Sequence, residues 1–439
     1  MSRITLACTL GAGLIAATAV AGQRVGLALS GALLLVLAAA ASSAPGRRCP
    51  WLSVLAAALA VQPVLRDAGW VVAVAVAASL LVGAAAVAPP GRWPDVRRAL
   101  VAPLQWAGGL AVVSQAAGAL VPRPGDRPLL PIVRGVALAV VLTGGFGLLL
   151  ASADRAFADL ADTALALDVD AEDGLWRAAL GLAFVLTAGA LVRSAGRVAI
   201  GPLREPYSPG QTELRIAIGA LVGLFAVFVL VQLRVLFGGA RYVVATTGLG
   251  YGDYARQGFV QLLLVAALTL AVVAVAARRR DAVVRGLLGV LCALTLVMLV
   301  SAHHRLGLVE GAYGFSRVRY AGHAIVFWLA AIFLLTLAAG ALPRLARWAP
   351  RAAVGLSAVG VLAFCLSNPD GRIADRAVAR AAAGGSVDVT YLANLSADAL
   401  PALRRLPSAA RVRVLPRLQD RLREADGLAG FNLARRAAR

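Results

Sequence analysis

The chain has 439 residues, of which 60% are hydrophobic and only 15% are charged, and its mean hydropathy is +0.81. This composition excludes a water-soluble globular domain, because a soluble surface needs far more charge. It also excludes a disordered chain, a coiled-coil rod and a disulfide-stapled secreted module, since each of these needs a composition that the sequence lacks. The sequence therefore predicts an integral membrane protein of the all-α class.

The formal net charge of +21 comes from 43 basic residues, all of them arginine, against 22 acidic residues. Most of the arginines lie in short connections between apolar runs and not on a soluble module with interleaved aromatic residues, which argues against nucleic-acid binding. We interpret them as topology signals and as contacts with lipid headgroups. The predicted partner is therefore the lipid bilayer, and no nucleic acid is expected.

Common catalytic signatures are missing from the sequence. It contains no nucleotide-binding loop, no G-x-S-x-G elbow and no H-E-x-x-H motif, which argues against the commonest ATPases and hydrolases. Its four cysteines never approach a C-x-x-C spacing, so we predict neither a zinc centre nor a redox centre, and no cofactor. Ser396 precedes Asp398 and an apolar stretch, an order typical of a helix N-cap and not of a nucleophile.

Apolar runs long enough to cross about 30 Å of hydrocarbon predict a polytopic transmembrane helical bundle of eleven or twelve spans. The first run ends in Ala19-Val20-Ala21, which suits signal-peptidase cleavage, but another run follows within a few residues, so a retained first span is favoured. The runs are 4–21, 25–41, 51–65, 69–88, 99–121, 130–152, 174–193, 214–237, 258–277, 283–301, 321–342 and 351–367.

Orientation follows from the arginines of the short connections. The arginine-bearing connections 193–215, 278–285 and 343–351 are predicted to be cytoplasmic, and the acidic segment 154–173 is predicted to lie outside. The pairs Arg47/Arg48 and Arg97/Arg98 should also face the cytoplasm, but twelve full crossings would place them outside. All of these assignments agree if the run 99–121, which is interrupted by proline, glutamine and serine, is re-entrant or interfacial. The amino terminus is then inside, and the arginine-rich carboxyl-terminal tail is outside.

Five polar segments follow one another between the predicted spans. In this order they resemble the bacterial membrane proteins grouped as domain of unknown function 4173, to which the family 4153 is related. The resemblance covers roughly 130–439 and implies a polytopic membrane fold, without a reaction or a ligand. The pair His303-His304 departs from the family pattern. The segments are 149–160, 232–239 leading into 251–262, 303–319, 368–380 and 388–403.

The resemblance and the composition divide the chain into three regions. They are an amino-terminal transmembrane region (1–128), a family-like transmembrane core (129–367) and an extramembrane tail (368–439). In the tail, leucines at positions 415, 418 and 422 predict a short amphipathic helix that stops before Gly427. Its apolar stripe packs on the rest of the tail or lies on the bilayer surface. The second option is favoured by Arg417, Arg421 and Arg423.

Span parity puts all five polar segments on one face of the membrane, which the arginine connections make the extracytoplasmic face. We call the charged and tyrosine residues of these segments the candidate polar face. Two interpretations stay open: the residues pair to satisfy one another at the headgroups, or they form a site for a small ligand or a protein partner. The candidate polar face comprises Asp154, Arg234, Asp253, Tyr254, Arg256, Arg305, Glu310, Tyr313, Arg317, Arg319 and Asp370.

The three histidines of the chain, His303, His304 and His323, flank one connection together with Glu310. Imidazole and carboxylate groups are zinc ligands. Adjacent histidines on a helix point about 100° apart, however, so His303 and His304 do not face one metal. Interfacial hydrogen bonding is therefore favoured, and the histidines are only weak metal candidates.

The stretch 246–253 reads T-T-G-L-G-Y-G-D and is similar to a potassium-channel selectivity filter. Gly248 replaces the threonine that forms the innermost ion site, and the preceding residues make a poor pore helix.

The favoured hypothesis for the whole chain is a binding, sensing or assembly component of the bacterial plasma membrane. A channel or transporter built on 248–253 is the alternative, and a membrane-embedded metal-dependent enzyme is a weaker one.

The predicted topology can be tested with two single cysteines, one at Ala282 and one at Ser316, in a chain without its native cysteines. About 19 apolar residues separate these positions and cross the bilayer once. We expect a membrane-impermeant thiol reagent to label them from opposite sides of the membrane. Labelling of both from the same side would contradict the topology.

Overall fold

The computed structural model describes residues 24–43, 49–87, 143, 147, 150, 211–247, 259–277, 281–346, 348–423 and 427–439. Every regular element in these ranges is a helix, which confirms the predicted all-α helical bundle. Several predicted features lie outside the described residues. They are the runs 4–21, 99–121 and 174–193, the acidic segment 154–173 and the filter-like stretch 248–253.

The described helices follow the predicted apolar runs closely. In chain order they are α1 (Leu27–Ser43), α2 (Pro50–Ala60), α3 (Gln62–Leu65), α4 (Gly69–Val87), α5 (Gln211–Thr247), α6 (Phe259–Ala276), α7 (Ala282–Tyr313), α8 (Arg317–Ala341), α9 (Pro343–Ala346), α10 (Ala349–Leu366), α11 (Pro369–Ala382), α12 (Val389–Ala393), a 3-10 helix (Ala397–Ala399), α13 (Leu400–Leu403), α14 (Ser408–Arg423) and α15 (Leu433–Ala438).

Five of these helices, α5, α6, α7, α8 and α10, are long and apolar enough to cross a membrane. Their apolar residues occupy the whole circumference, which is typical of helices that contact lipid on one side and other helices on the other. Shorter apolar helices form α1, α2 with α3, and α4. The chain is an integral membrane protein whose helices contact the lipid bilayer.

The chain forms two compact units. Unit 1 comprises residues 1–100, 313–335 and 342–439, and unit 2 comprises residues 101–312 and 336–341. In unit 2, α5, α6 and α7 share a core of large side chains. This core includes Phe225, Phe228, Leu262, Leu291 and Met298.

In unit 1, helices α1, α2, α4 and α10 pack against one another. Leu52 and Leu59 of α2 are fully buried against Val82 of α4 and Ala358 of α10. Small residues allow close packing here, because alanine is the commonest residue on the contacting faces. These helices form one apolar region of unit 1.

The tail of unit 1 has an apolar core of its own. Ile373, Leu392, Leu403 and Leu418 are buried together within it. The predicted amphipathic helix exists as α14, but the preference for the bilayer surface was wrong. Its stripe of buried residues instead contacts the tail core, because α12 and α13 supply a matching apolar surface.

The first turn of α11 has an unusual cap. Asn368 adopts a left-handed conformation with φ 53°, and its side chain accepts a hydrogen bond from the Gly371 N–H at 3.1 Å. Position 371 needs glycine, because a Cβ there would lie 2.3 Å from the Asn368 Nδ2. Pro369 follows at the first helical position, where its missing N–H costs nothing. Together these residues fix the direction in which the tail leaves α10.

The end of the tail docks on the beginning of α1. The Leu27 and Ala28 N–H groups donate to the carbonyls of Phe431 and Ala429 at 3.1 and 2.9 Å. The first turn of a helix has no intrahelical acceptors for its N–H groups, so the tail supplies them. Gly26 permits this approach, because a Cβ there would lie 2.6 Å from backbone atoms of residues 430 and 431.

We predict that Gly26→Ala weakens this docking, since a backbone segment must move to admit the methyl group. The expected result is a lower melting temperature in detergent and faster proteolysis within 427–439. Gly31→Ala on the same helix is the matched control, because a Cβ there meets no atom within 4 Å. Equal behaviour of the two variants would show that the close approach does not matter.

Candidate functional site

One end of unit 1 gathers three acidic side chains and three arginines from distant parts of the sequence. They come from the connection between α2 and α4, the start of α8, the start of α11, the 3-10 helix and α15. Two of the acids, Asp370 and Asp398, are almost completely buried. We call the group the carboxylate–arginine cluster. Its members are Arg66, Asp67, Arg317, Asp370, Asp398 and Arg435.

Asp370 lies in the first turn of α11, where the helix dipole favours a negative charge. Both of its oxygens are engaged by Arg317, whose Nε and Nη2 donate at 2.9 and 2.6 Å. The Trp70 indole N–H donates to Oδ1 at 3.1 Å, and the Ser396 backbone N–H donates to Oδ2 at 2.9 Å. This carboxylate therefore joins α4, α8, α11 and the residue before the 3-10 helix.

Asp398 lies within the 3-10 helix and reaches the connection before α4. Its Oδ2 accepts hydrogen bonds from the backbone N–H groups of Asp67 and Ala68 at 2.8 and 2.9 Å, and from the Ser396 hydroxyl at 3.1 Å. Its Oδ1 accepts a longer bond of 3.5 Å from Arg66. The buried carboxylate thus holds the tail on the 66–68 backbone.

Asp67, in the connection before α4, accepts hydrogen bonds from the tail in turn. Its Oδ2 accepts from the Ala397 N–H at 2.9 Å, and its Oδ1 accepts from Arg435 Nη1 at 2.6 Å. Beside it, the buried Asn432 amide donates to the carbonyls of Pro63 and Arg66, at 2.9 Å each. The connection and the tail therefore hold each other through reciprocal side chain-to-backbone bonds.

The two buried carboxylates differ in how their charge is supported. Burial raises the pKa of Asp370, but the hydrogen bonds from Arg317 and Ser396 outweigh burial and leave that pKa below its usual value. Burial also raises the pKa of Asp398, and the backbone donors and Arg66 offset it only in part, so this pKa stays above its usual value. The charged form is thus well supported at Asp370 and less so at Asp398.

The geometry of the cluster suits a structural contact that holds chain segments together better than it suits a reaction centre. Each carboxylate accepts hydrogen bonds from donors on other segments, at the distances given above, and a base must have a free lone pair to take a proton from a substrate. Among the described residues no three His, Cys, Asp or Glu side chains are grouped so as to hold a metal ion. The arrangement binds protein segments to one another.

The structure distributes the candidate polar face over both units. Tyr313, Arg317, Arg319 and Asp370 belong to unit 1, and Arg305 and Glu310 belong to unit 2. The pair formed by Arg317 and Asp370 is in direct contact. Arg234 lies on α5, and the remaining residues lie outside the described ranges; they are Asp154, Asp253, Tyr254 and Arg256.

Arg319 makes a second, local contact at the turn between α7 and α8. Its Nη1 donates to the carbonyls of Tyr313 and Gly314 at 3.3 and 2.6 Å, and its guanidinium lies 5.9 Å from the Tyr313 ring centre. Gly314 has a φ of 79°, a conformation that glycine adopts without strain. Arg319 therefore closes the turn that places Arg317 beside Asp370.

Arg305 of unit 2 is buried inside the helical bundle. Its Nη2 donates to Gln232 Oε1 at 2.7 Å, and the Ser301 hydroxyl donates to the same oxygen at 3.0 Å. Glu310 is half-buried on the same helix. A buried charge is costly unless it is paired and hydrogen-bonded, so Arg305 marks a position of structural or functional importance.

The histidines do not come together as a ligand set in the described residues. His303 is half-buried and His304 exposed, both on α7 in unit 2. His323 is half-buried on α8 in unit 1.

Sequence reasoning missed four of the six members of the cluster, namely Arg66, Asp67, Asp398 and Arg435. The polar break Q-P-V-L-R-D-A-G-W at 62–70 stands between two apolar runs on the same predicted face and could have signalled Arg66, Asp67 and Trp70. Ser396 precedes the 3-10 helix as predicted, but its hydroxyl makes no capping bond to a backbone N–H. The hydroxyl instead donates to the buried Asp398 carboxylate at 3.1 Å.

The five helices of membrane-spanning length, with the carboxylate–arginine cluster at the end of unit 1, define the class as a multi-pass membrane protein. The model of a family described as "Domain of unknown function (DUF4153)" matches residues 53–406, and the chain belongs to this family. This is the family named above as the relative of 4173. No curated protein and no solved structure matches the chain.

We predict that Asp370→Asn destabilises the protein more than Asp398→Asn. Either orientation of an amide at 370 turns its NH₂ group toward donors and leaves Arg317 without a counter-charge, at a cost of order 3 kcal/mol. At 398 the amide oxygen can keep the three short bonds, and only the long contact with Arg66 is lost, at a cost of about 1 kcal/mol. Chemical denaturation in detergent micelles measures both costs.

A reversed order of the two costs would contradict this account of the cluster. The pH dependence provides a second check. Because the pKa of Asp370 is lowered on folding, its contribution is complete above the pKa of the unfolded carboxyl and is lost as the pH falls through the lower, folded value. The Asp370→Asn variant should therefore lack this acid-dependent loss.

Proposed function

We propose that the protein is a binding or assembly component of the plasma membrane, and that its tail presents an arginine surface to an acidic protein partner on the extracytoplasmic side. The observation that carries the proposal is the exposed outer side of α14. Arg413 and Arg417 lie there one helical turn apart, and within the described residues neither makes a hydrogen bond or an ion pair.

The inner side of α14 is fixed to the tail core. Val414, Leu418 and Leu422 are buried, and Arg421 Nη2 donates to the carbonyls of Ala393 and Leu395. The helix therefore does not need its outer arginines for its own packing. Its outer side also carries Val412, which is 71% exposed. An exposed aliphatic residue beside arginines is typical of protein interfaces.

The charge of the tail is divided between its inside and its outside. Residues 368–439 contain 13 arginines and 7 acidic residues. Two of the acids, Asp370 and Asp398, are buried in the cluster, and Asp375 pairs with Arg405 on the surface. The excess of positive charge therefore lies outside, where it attracts an acidic partner.

The orientation is supported by the other end of the same helices. Arg344 lies in α9 and Arg351 lies in the first turn of α10, at the end of α10 opposite to its junction with the tail. Short connections with arginine stay in the cytoplasm, whereas long segments cross largely irrespective of charge. The tail then belongs on the extracytoplasmic side.

The proposal is tested in cells with a photo-crosslinking amino acid at Val412. We expect a discrete adduct with an acidic protein, and we expect it to disappear in the double variant Arg413→Gln/Arg417→Gln, because the charge attraction is removed. The variant Arg436→Gln is the control and should keep the adduct, because Arg436 is exposed on α15 and lies outside α14. The proposal fails if no adduct forms, or if the adduct is indifferent to Arg413 and Arg417.

A channel or transporter is the second candidate function. It is favoured by the buried contact of Arg305 with Gln232 and Ser301 in unit 2, since ionisable residues inside membrane bundles commonly line transport pathways. Proteoliposomes containing the full chain should then show an ion flux that Gln232→Leu alters. Absence of a flux in the wild type would exclude ion conduction.

A further inference from the structure

Residues 427–439 form a shallow pocket at the beginning of α1. It has a volume of about 370 Å³ and is lined by Gly427, Phe431, Asn432, Arg436 and Arg439. Among the described lining residues, two are cationic and none is acidic. We propose that this pocket binds the phosphate of an anionic phospholipid headgroup.

The location of the pocket supports a lipid. Its Phe431 carbonyl accepts a hydrogen bond from the Leu27 N–H, and the neighbouring Ala429 carbonyl accepts one from Ala28. Helix α1 contains only apolar residues and serine, and its 17 residues span about 25 Å at 1.5 Å per residue. The pocket therefore lies where an apolar helix ends, which is the level of the headgroups.

The two arginines have the chemistry that a phosphate requires. Arg436 and Arg439 are both exposed, and a guanidinium presents a planar set of N–H donors that matches phosphate oxygens. The Arg436 guanidinium lies 5.8 Å from the Phe431 ring centre, so the ring limits the positions that the guanidinium adopts. A partly ordered guanidinium loses less entropy on binding.

The floor of the pocket is fixed by Asn432, which is 1% exposed. Its amide donates to Pro63 and Arg66, and its oxygen accepts from the Arg435 N–H at 3.0 Å. Asn432 is therefore a positioning residue and not a ligand. The same bonds tie the pocket to the carboxylate–arginine cluster, whose Asp67 holds Arg435.

Exposed aliphatic side chains adjoin the pocket residues along the chain and at the first residue of α1. Leu428 is 87% exposed, and Leu27 and Leu433 are 48% and 44% exposed. Large apolar side chains are left this exposed where another apolar surface covers them. Acyl chains next to a headgroup provide such a surface, whereas inorganic phosphate does not. The combination of arginines and leucines thus specifies an amphipathic anion.

The test uses the full chain purified in detergent, with short-chain phosphatidylglycerol as the probe and native mass spectrometry as the readout. We expect Arg436→Gln/Arg439→Gln to weaken binding by about tenfold or more, because charge-assisted hydrogen bonds are lost. The single variant Arg436→Gln keeps the bond from Arg439 Nε to the Leu422 carbonyl at 3.0 Å, so it retains the fold. It should weaken binding by a smaller factor.

Arg413→Gln/Arg417→Gln on α14 is the matched control and should bind phosphatidylglycerol like the wild type. This control separates the pocket from the proposed protein-binding surface, so one proposal can fail without the other. The double variant Leu428→Ser/Leu433→Ser should weaken the binding of phosphatidylglycerol but not the binding of inorganic phosphate. Equal binding by the arginine variant and the wild type would overturn the proposal. Equal affinity for phosphatidylcholine would overturn it too, because the negative charge of the headgroup would then not be recognised. Equal affinity for inorganic phosphate would also overturn it, because the acyl chains would then not be recognised.

Discussion

The reciprocal bonds between the 66–68 backbone and the 3-10 helix are the constraint on which the rest of unit 1 depends. Asp398 accepts from the N–H groups of Asp67 and Ala68, while Asp67 accepts from Ala397. Each carboxylate satisfies backbone donors that would otherwise be buried without acceptors, and such groups are costly. The tail therefore cannot leave the helices without exposing or stranding polar groups on both sides. This mutual dependence explains how about 70 residues outside the apolar helices keep one position on them.

The buried pair of Arg317 and Asp370 determines how α8 and α11 are arranged more than it adds to the free energy of unfolding. Removing two charges from water costs several kcal/mol per ion, and their attraction roughly repays that cost when the geometry is good. Here the geometry is bidentate, and the Asp370 side chain is completely buried. The exposed pair of Arg405 and Asp375 stays in contact with water, so it has no comparable desolvation cost and contributes little to the stability of the fold. A buried bidentate pair has one favourable arrangement, so it selects a single register of α8 against α11.

The sequence predicted the helices well because apolar length is a local property. The described helices α5, α6, α7, α8 and α10 each overlap one predicted run, and Arg317 and Asp370 were both assigned to one polar face. Asp67 and Asp398 are different, because they lie 331 positions apart and no local pattern links them. Hydropathy shows which residues leave the bilayer, but it does not show which of them meet. Contacts of this kind depend on how the helices are arranged, and that arrangement is a property of packing.

The division of charge in the tail follows from the same contacts. Aspartate is short, so it can be enclosed by backbone and side-chain donors, as Asp370 and Asp398 are, whereas arginine is long and reaches the surface from a buried helix. A tail that buries its acids to hold itself together must therefore present an excess of arginine outward. The positive surface of α14 and the two arginines of the 427–439 pocket are consequences of this arrangement. If the tail is extracytoplasmic as proposed, that surface is opposite to the usual positive side of the membrane. Acidic partners and anionic headgroups are then the groups that compensate it.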